Sequence, residues 1–115
     1  MHEYSIVGAL VERAAAEARA RGATAVTALE VRIGELAGVE SELLATAWTT
    51  FREGTVCAGA PLRIVNVPAR WVCSRCGAGI PRGQALRCAG CARPARLAAG
   101  DEIFLDRIEL EVPNV

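Results

Sequence analysis

The chain has 115 residues, 52% of them apolar, with 13 basic and 13 acidic side chains that cancel. That length and apolar content make one folded domain with room for a small appended lobe, and exclude a disordered chain. A net charge of zero gives no global attraction to nucleic acid or membrane.

The first 18-residue pattern, residues 4–21, predicts a helix. Ile6, Val7, Leu10, Val11 and Ala14 recur at helical spacing, and Gly22 stands where a helix C-terminus favours glycine. Residues 25–34 predict a strand, because Leu29, Val31 and Ile33 alternate with Glu30 and Arg32. Residues 41–53 predict a second helix with Ser41 as N-cap; Leu44, Ala47, Trp48 and Phe51 form its apolar stripe, and both aromatics are expected in the core. Residues 62–72 read as a second strand that Pro68 interrupts, which suggests an edge or a bulge. Residues 73–100 carry four spaced cysteines, five glycines and two prolines, a composition of knuckles and turns. Residues 103–112 predict a last strand, with Ile108, Leu110 and Val112 alternating with charged residues.

This order predicts an α+β fold: two helices packed on a three-stranded, mainly antiparallel sheet, with a small four-cysteine, zinc-ribbon-like lobe. The last strand is expected to pair beside the second. The expected division is residues 1–70 plus 101–115 for the α/β domain and 71–100 for the lobe.

The lobe holds the strongest chemical signal. Cys73-x-x-Cys76, eleven residues, then Cys88-x-x-Cys91 is the spacing of two knuckles that close a tetrahedral zinc shell. Four thiolates leave no open coordination position, so the metal is expected to be structural. Rubredoxin-type iron suits the same donors. Two disulfides or a redox dithiol fit the setting less well: the start shows no secretory signal, no apolar run reaches membrane-span length, and the expected location is the reducing cytoplasm. Arg75, Arg87 and Arg93 flank the ligands and are expected to offset the thiolate charge. Arg70–Gly100 contains six arginines and no acid, which also raises the alternative of a zinc-ribbon adaptor that binds nucleic acid. Against it, only Trp71 could stack on a base there. Cys57 has no spaced partner and reads as a small buried apolar residue.

His2 is the sole histidine. The plain reading of His2-Glu3 is an exposed terminus followed by an acid at a helix start, and chemistry alone favours it. The chemical alternative is chelation: the α-amine, the His2 amide and His2 Nδ1 close a five- and a six-membered ring around one ion. Planar nitrogen ligation favours Ni(II) or Cu(II). No hydrolytic or nucleophilic constellation is visible, so no catalytic residue is assigned and the chain is not expected to be an enzyme.

Met1-His2-Glu3, the segment Val31-Arg32-Ile33-Gly34-Glu35-Leu36 and the paired CxxC units together resemble the HypA/HybF nickel-insertion proteins over essentially the whole chain. That resemblance implies a nickel metallochaperone for [NiFe]-hydrogenase maturation. Ni(II) would be bound at Met1, His2 and Glu3, and Zn(II) at Cys73, Cys76, Cys88 and Cys91. The implied partners are a HypB-type GTPase and the [NiFe]-hydrogenase large subunit, with urease accessory proteins in some relatives. Some relatives also carry histidines beside the zinc cysteines. This sequence has none there, so a histidine link between two metal sites is not available to it.

Overall fold

The computed structural model describes residues 2–113, and of His2 the backbone only. The element order is α1 (His2–Ala20), β1 (Ala25–Gly34), α2 (Ser41–Phe51), β2 (Leu62–Val67), β3 (Arg70–Cys73), β4 (Gly79–Ile80), β5 (Ala95–Ala99) and β6 (Ile103–Glu111). The expected α+β class holds: two helices, a three-stranded sheet and a cysteine lobe.

Helix α1 ends in a Schellman turn. Gly22, at φ +66°, donates to Arg19 O at 3.3 Å, and Ala23 donates to Ala18 O at 2.8 Å, so the last carbonyls are satisfied without water. Helix α2 starts one residue earlier than Ser41 suggested. Glu40 is its N-cap, in extended geometry and without a side-chain cap, and Ser41 is the first helical residue.

The first sheet has the order β2-β1-β6. The last strand therefore pairs with the first, not with the second as the linear order suggested. The reason is burial: β1 is the most apolar strand and takes the central place, with Val26, Ala28, Leu29, Val31 and Ile33 all buried. Flanking hydrogen bonds fix the directions. Leu29 N–H donates to Pro61 O and Glu35 N–H to Val67 O, so β1 and β2 advance together, with α2 as the crossover. Thr24 N–H donates to Glu111 O and Gly34 N–H to Glu102 O, so β1 and β6 are antiparallel. Ala28 and Leu29 are consecutive and both buried, so the alternation of β1 is not strict there.

Pro68 does more than interrupt a strand. It separates β2 and β3 into different sheets, the second having the order β4-β3-β5, antiparallel throughout. Trp71 pairs with Ile80 on one side and Leu97 on the other. The strands β4 and β5 lie in the stretch whose composition pointed only to turns. They are two and five residues long, below what hydrophobic periodicity can reveal.

The chain forms two compact units. One comprises Met1–Arg32, Val39–Val65 and Phe104–Val115; the other comprises Ile33–Gly38 and Asn66–Ile103. In the first, α1 packs on α2, and Trp48 is fully enclosed at 1% exposure, its Nε1–H donating to Ala60 O at 2.8 Å. Phe51 departs from its expected core place. It is 43% exposed, and its ring lies 6.0 Å from that of Tyr4 on α1.

The second unit is closed by backbone crossing. A Cβ on Gly34 would collide with the carbonyl of Gly100, and a Cβ on Gly100, at φ +106°, would fall 2.5 Å from Ala69 Cα. Only glycine permits three backbone segments to meet there. Leu36 N–H donates to Gly100 O at 2.7 Å across this crossing. The Glu35 carboxylate accepts from Ala69 N–H at 2.8 Å and pairs with Arg82.

Candidate metal centre

The two cysteine pairs fold as near copies. Cys73 ends β3 and Cys88 follows the isolated bridge Arg87–Pro94. In the first knuckle Gly77 N–H donates to Cys73 O (3.1 Å) and Cys73 N–H to Ala78 O (2.8 Å). In the second, Ala92 N–H donates to Cys88 O (2.9 Å) and Cys88 N–H to Arg93 O (2.9 Å). The N–H of the second cysteine in each pair donates to the sulfur of the first, at 3.4 Å in both. The residue after each pair is left-handed: Gly77 at φ +75° and Ala92 at φ +55°. Gly90, inside the second pair, has no positive φ; Ala92 is the left-handed residue of that knuckle. Aligning the two Cys-x-x-Cys-x units would have exposed this, since the first has glycine at the place of Ala92.

The four Sγ atoms all lie within 4.8 Å of one another, and Cys76 Sγ and Cys88 Sγ are 3.8 Å apart. A tetrahedron with Zn–S of about 2.3 Å has S···S edges of about 3.8 Å, so the donor set fits zinc. Cys73 and Cys88 are buried, Cys91 is half-buried and Cys76 exposed.

The acid–base state of the sulfurs supports the same fit. Backbone N–H groups of Cys76 and Arg75 donate to Cys73 Sγ and hold its thiol down at about 6. Cys91 is pushed up to about 12, first by its hydrogen bond with the Cys76 thiol, then by burial and by the negative charge of Cys76 and Cys73. Four thiolates cannot share this space on their own, and a divalent cation supplies the charge that lets them. Apart from contacts among the sulfurs themselves, the hydrogen bonds to sulfur come from backbone N–H groups. The guanidinium groups of Arg75, Arg87 and Arg93, expected to offset the thiolates, make none among the described residues. Arg82 instead pairs with Glu35, an acid contributed from far upstream, which the local charge count of the lobe did not reveal.

At the other end of the chain, Met1 and the His2 side chain, both expected at a nickel site, lie outside the described residues. Glu3 sits in the first turn of α1, and its Oε2 accepts the N–H of Glu40, the N-cap of α2, at 3.4 Å. Cys57 is fully buried, and burial raises its thiol pKa, in keeping with an inert packing residue; it is not part of the sulfur cluster. No described helix is long and apolar enough to cross a membrane.

The comparisons with known proteins agree with this centre. Residues 1–110 match the family described as "Hydrogenase/urease nickel incorporation, metallochaperone, hypA". The hydrogenase maturation factor HypA of Wolinella succinogenes is 40% identical, the match covering 99% of this chain and 98% of that protein. The Aquifex aeolicus factor of the same name is 38% identical over 97% and 99%. The solution structure of the nickel metallochaperone HypA from Helicobacter pylori superposes with a TM-score of 0.70 at 27% identity, covering 96% of this chain and 98% of that one. A second structure, titled "Solution structure of HypA protein", gives 0.80 at 28% identity over 98% of both. With a family match along nearly the whole chain and a four-sulfur centre of zinc dimensions, this chain belongs to the HypA family of nickel-incorporation metallochaperones in hydrogenase maturation.

Proposed function

We propose that this chain binds Ni(II) through Met1, His2 and Glu3 and delivers it during maturation of [NiFe]-hydrogenase, while Cys73, Cys76, Cys88 and Cys91 hold one structural zinc. The observation that carries this reading is the position of the sole histidine. His2 is the second residue of a family match that begins at residue 1, so an amine, an amide and an imidazole Nδ1 can close two chelate rings on one ion. The Glu3 carboxylate accepts Glu40 N–H through one oxygen, and the fourth position of a planar set can be filled by the Glu3 amide or carboxylate, by water or by a partner protein. The closed sulfur shell has no vacant position for a transferred ion, which supports assigning cargo and structural metal to different ends of the chain.

The nickel is passed on without covalent chemistry, and the chain is a carrier, not a catalyst. Its partners in this reading are a HypB-type GTPase and the hydrogenase large subunit, in the cytoplasm. The α/β part, residues 1–70 plus 101–115, carries nickel, and residues 71–100 carry zinc.

Calorimetric titration of the untagged, zinc-loaded protein tests the site. One Ni(II) per chain is expected, weaker than zinc, with affinity falling in mild acid as amine and imidazole protonate. His2→Ala is expected to abolish the transition. An extension before Met1, which turns the amine into an amide, is expected to weaken it. Equal nickel affinity in the extended protein would remove the amine from the ligand set.

A further inference from the structure

Two hollows adjoin strand β4 in the unit that holds the cysteine cluster. They share Ile80, Pro81 and Gln84 and so form one groove. The first part, about 320 Å3, lies between residues 68–71 and 80–86. The second, about 430 Å3, runs on to Arg87 and the Cys88 knuckle. Pro68, Trp71, Ile80, Pro81 and Leu86 make the first part mostly apolar. Trp71 and Ile80 are half-buried there, and Leu86 is 50% exposed. A single exposed leucine is ordinary, but apolar side chains gathered around a hollow mark a contact site.

The charges along this groove are of one sign. Arg70 and Arg82 line the first part and Arg87 the second, and all three are exposed. No acid lies between Arg70 and Gly100. Among the described residues Arg82 has one ion pair, with Glu35, and Arg70 and Arg87 have none. An apolar floor with uncompensated guanidinium groups on either side of it fits an extended segment that carries a large apolar side chain between carboxylates. The chain already shows part of this chemistry, since the Glu35 carboxylate accepts from Arg82. A nucleic-acid strand fits less well. It needs open aromatic faces to stack on, and Trp71, the sole aromatic of residues 70–100, is half-buried between its strand partners Ile80 and Leu97.

We propose that this groove docks an acidic segment of a partner protein, with an apolar side chain seated against Trp71 and Leu86 and flanking carboxylates paired with Arg70 and Arg87. Every residue in this contact belongs to the unit of Ile33–Gly38 and Asn66–Ile103. The contact uses none of Met1, His2 or Glu3, so it stands or falls separately from the nickel reading.

Fluorescence anisotropy on the full, zinc-loaded chain tests the proposal with labelled synthetic heptapeptides and a labelled thymidine oligonucleotide. A peptide of glutamates around one central leucine should bind with a Kd of the order of 0.1 mM at low salt. Alanine in place of the leucine should weaken it at least about fivefold, and lysines in place of the glutamates should abolish binding. Arg70→Glu and Leu86→Ser, both at exposed positions, should each weaken the acidic leucine peptide at least about tenfold, with zinc content and circular dichroism native. Arg96→Glu, exposed but outside the groove, should change it less than about twofold. Nickel bound per chain should be the same in all variants. Absence of binding by the acidic leucine peptide at millimolar concentration overturns the proposal. Equal affinity for the alanine peptide overturns the apolar seat, and equal losses in Arg96→Glu and Arg70→Glu would reduce the contact to diffuse charge. Tighter binding of the oligonucleotide, lost in the same two groove variants, would assign the groove to nucleic acid instead.

Discussion

In the unit that contains α1, α2 and most of β1, β2 and β6, the residues removed from water are those of an ordinary hydrophobic core: Val7, Leu29, Val31, Leu44 and Trp48, with alanines between them. In the unit of Ile33–Gly38 and Asn66–Ile103, the buried hydrophobic side chains are Ile33, Val72, Cys73 and Cys88, two of the four being cysteines of the metal cluster. So few apolar side chains cannot repay the ordering of some forty residues, at about 1 to 2 kcal/mol of backbone entropy each. The second unit therefore depends on its sulfurs and on the crossing at Gly34, Gly100 and Ala69, where the first depends on buried area. One chain thus contains two answers to the same problem, and they should fail under different insults.

The largest effect should follow removal of zinc. Structural zinc in small sites contributes about 10 to 16 kcal/mol at neutral pH. Chelation, or Cys73→Ser, should abolish amide protection across Asn66–Ile103 while α1 and α2 stay protected in hydrogen exchange. Protection that survives in β3 and β5 of the metal-free protein would show that the crossing alone holds the unit. Acid should act on the same side of the comparison. The folded knuckle holds the Cys73 thiol down at about 6, below the 9.0 of a free thiol, because Cys76 and Arg75 donate to its sulfur. That stabilisation of the folded unit is complete above pH 9 and is lost as pH falls through 6. Zinc must displace thiol protons as it folds the unit, so its affinity should fall steadily as pH drops from about 8 to about 5, measured by chelator competition. A flat profile over that range would mean that thiolates are not the ligands.

The contrast also explains which parts of the molecule could be read in advance. The helices, β1 and β6 announced themselves because long amphipathic periods leave a visible pattern, and the cysteines because metal chemistry dictates their spacing. Strands β4 and β5 could not be read, being held by pairing with β3 and not by a period of their own. The position of β6 beside β1 is a long-range choice governed by which strand is most buried, which linear order does not encode. Phe51 falls on the apolar stripe of α2 yet lies against Tyr4 with much of its ring in water, because helix spacing gives a direction and not a depth. Glu35 could be seen as part of a motif, but its role in holding Ala69 N–H and Arg82 needed the fold.

A substitution in the first unit tests the same division from the other side. Trp48→Ala removes the largest fully buried side chain and its hydrogen bond to Ala60 O, at a cost of about 3 to 5 kcal/mol. The urea midpoint followed by helical circular dichroism should fall accordingly. Zinc content should remain one per chain, since no ligand or knuckle hydrogen bond belongs to that unit. Loss of zinc together with the helical signal would mean that the two units unfold as one.

The smallest effect lies within the knuckles and separates backbone strain from ligand chemistry. Gly77 and Ala92 occupy equivalent places, both left-handed, and both donate to the carbonyl of the first cysteine of their pair. The left-handed conformation costs a residue with a Cβ about 1 to 2 kcal/mol, and a glycine about 0.5 to 1 kcal/mol of extra chain entropy. Ala92→Gly should therefore stabilise the zinc-bound unit by up to about 1 kcal/mol, and Gly77→Ala should destabilise it by a similar amount. A Cβ at Gly77 meets nothing within 4 Å, so conformation is the only term that changes there. Zinc competition should show the two variants displaced in opposite directions, and the double exchange should lie close to the native protein. If Ala92→Gly instead loosens zinc, the alanine methyl makes a favourable contribution that outweighs its backbone strain, and the two knuckles are alike in hydrogen bonding but not in energy.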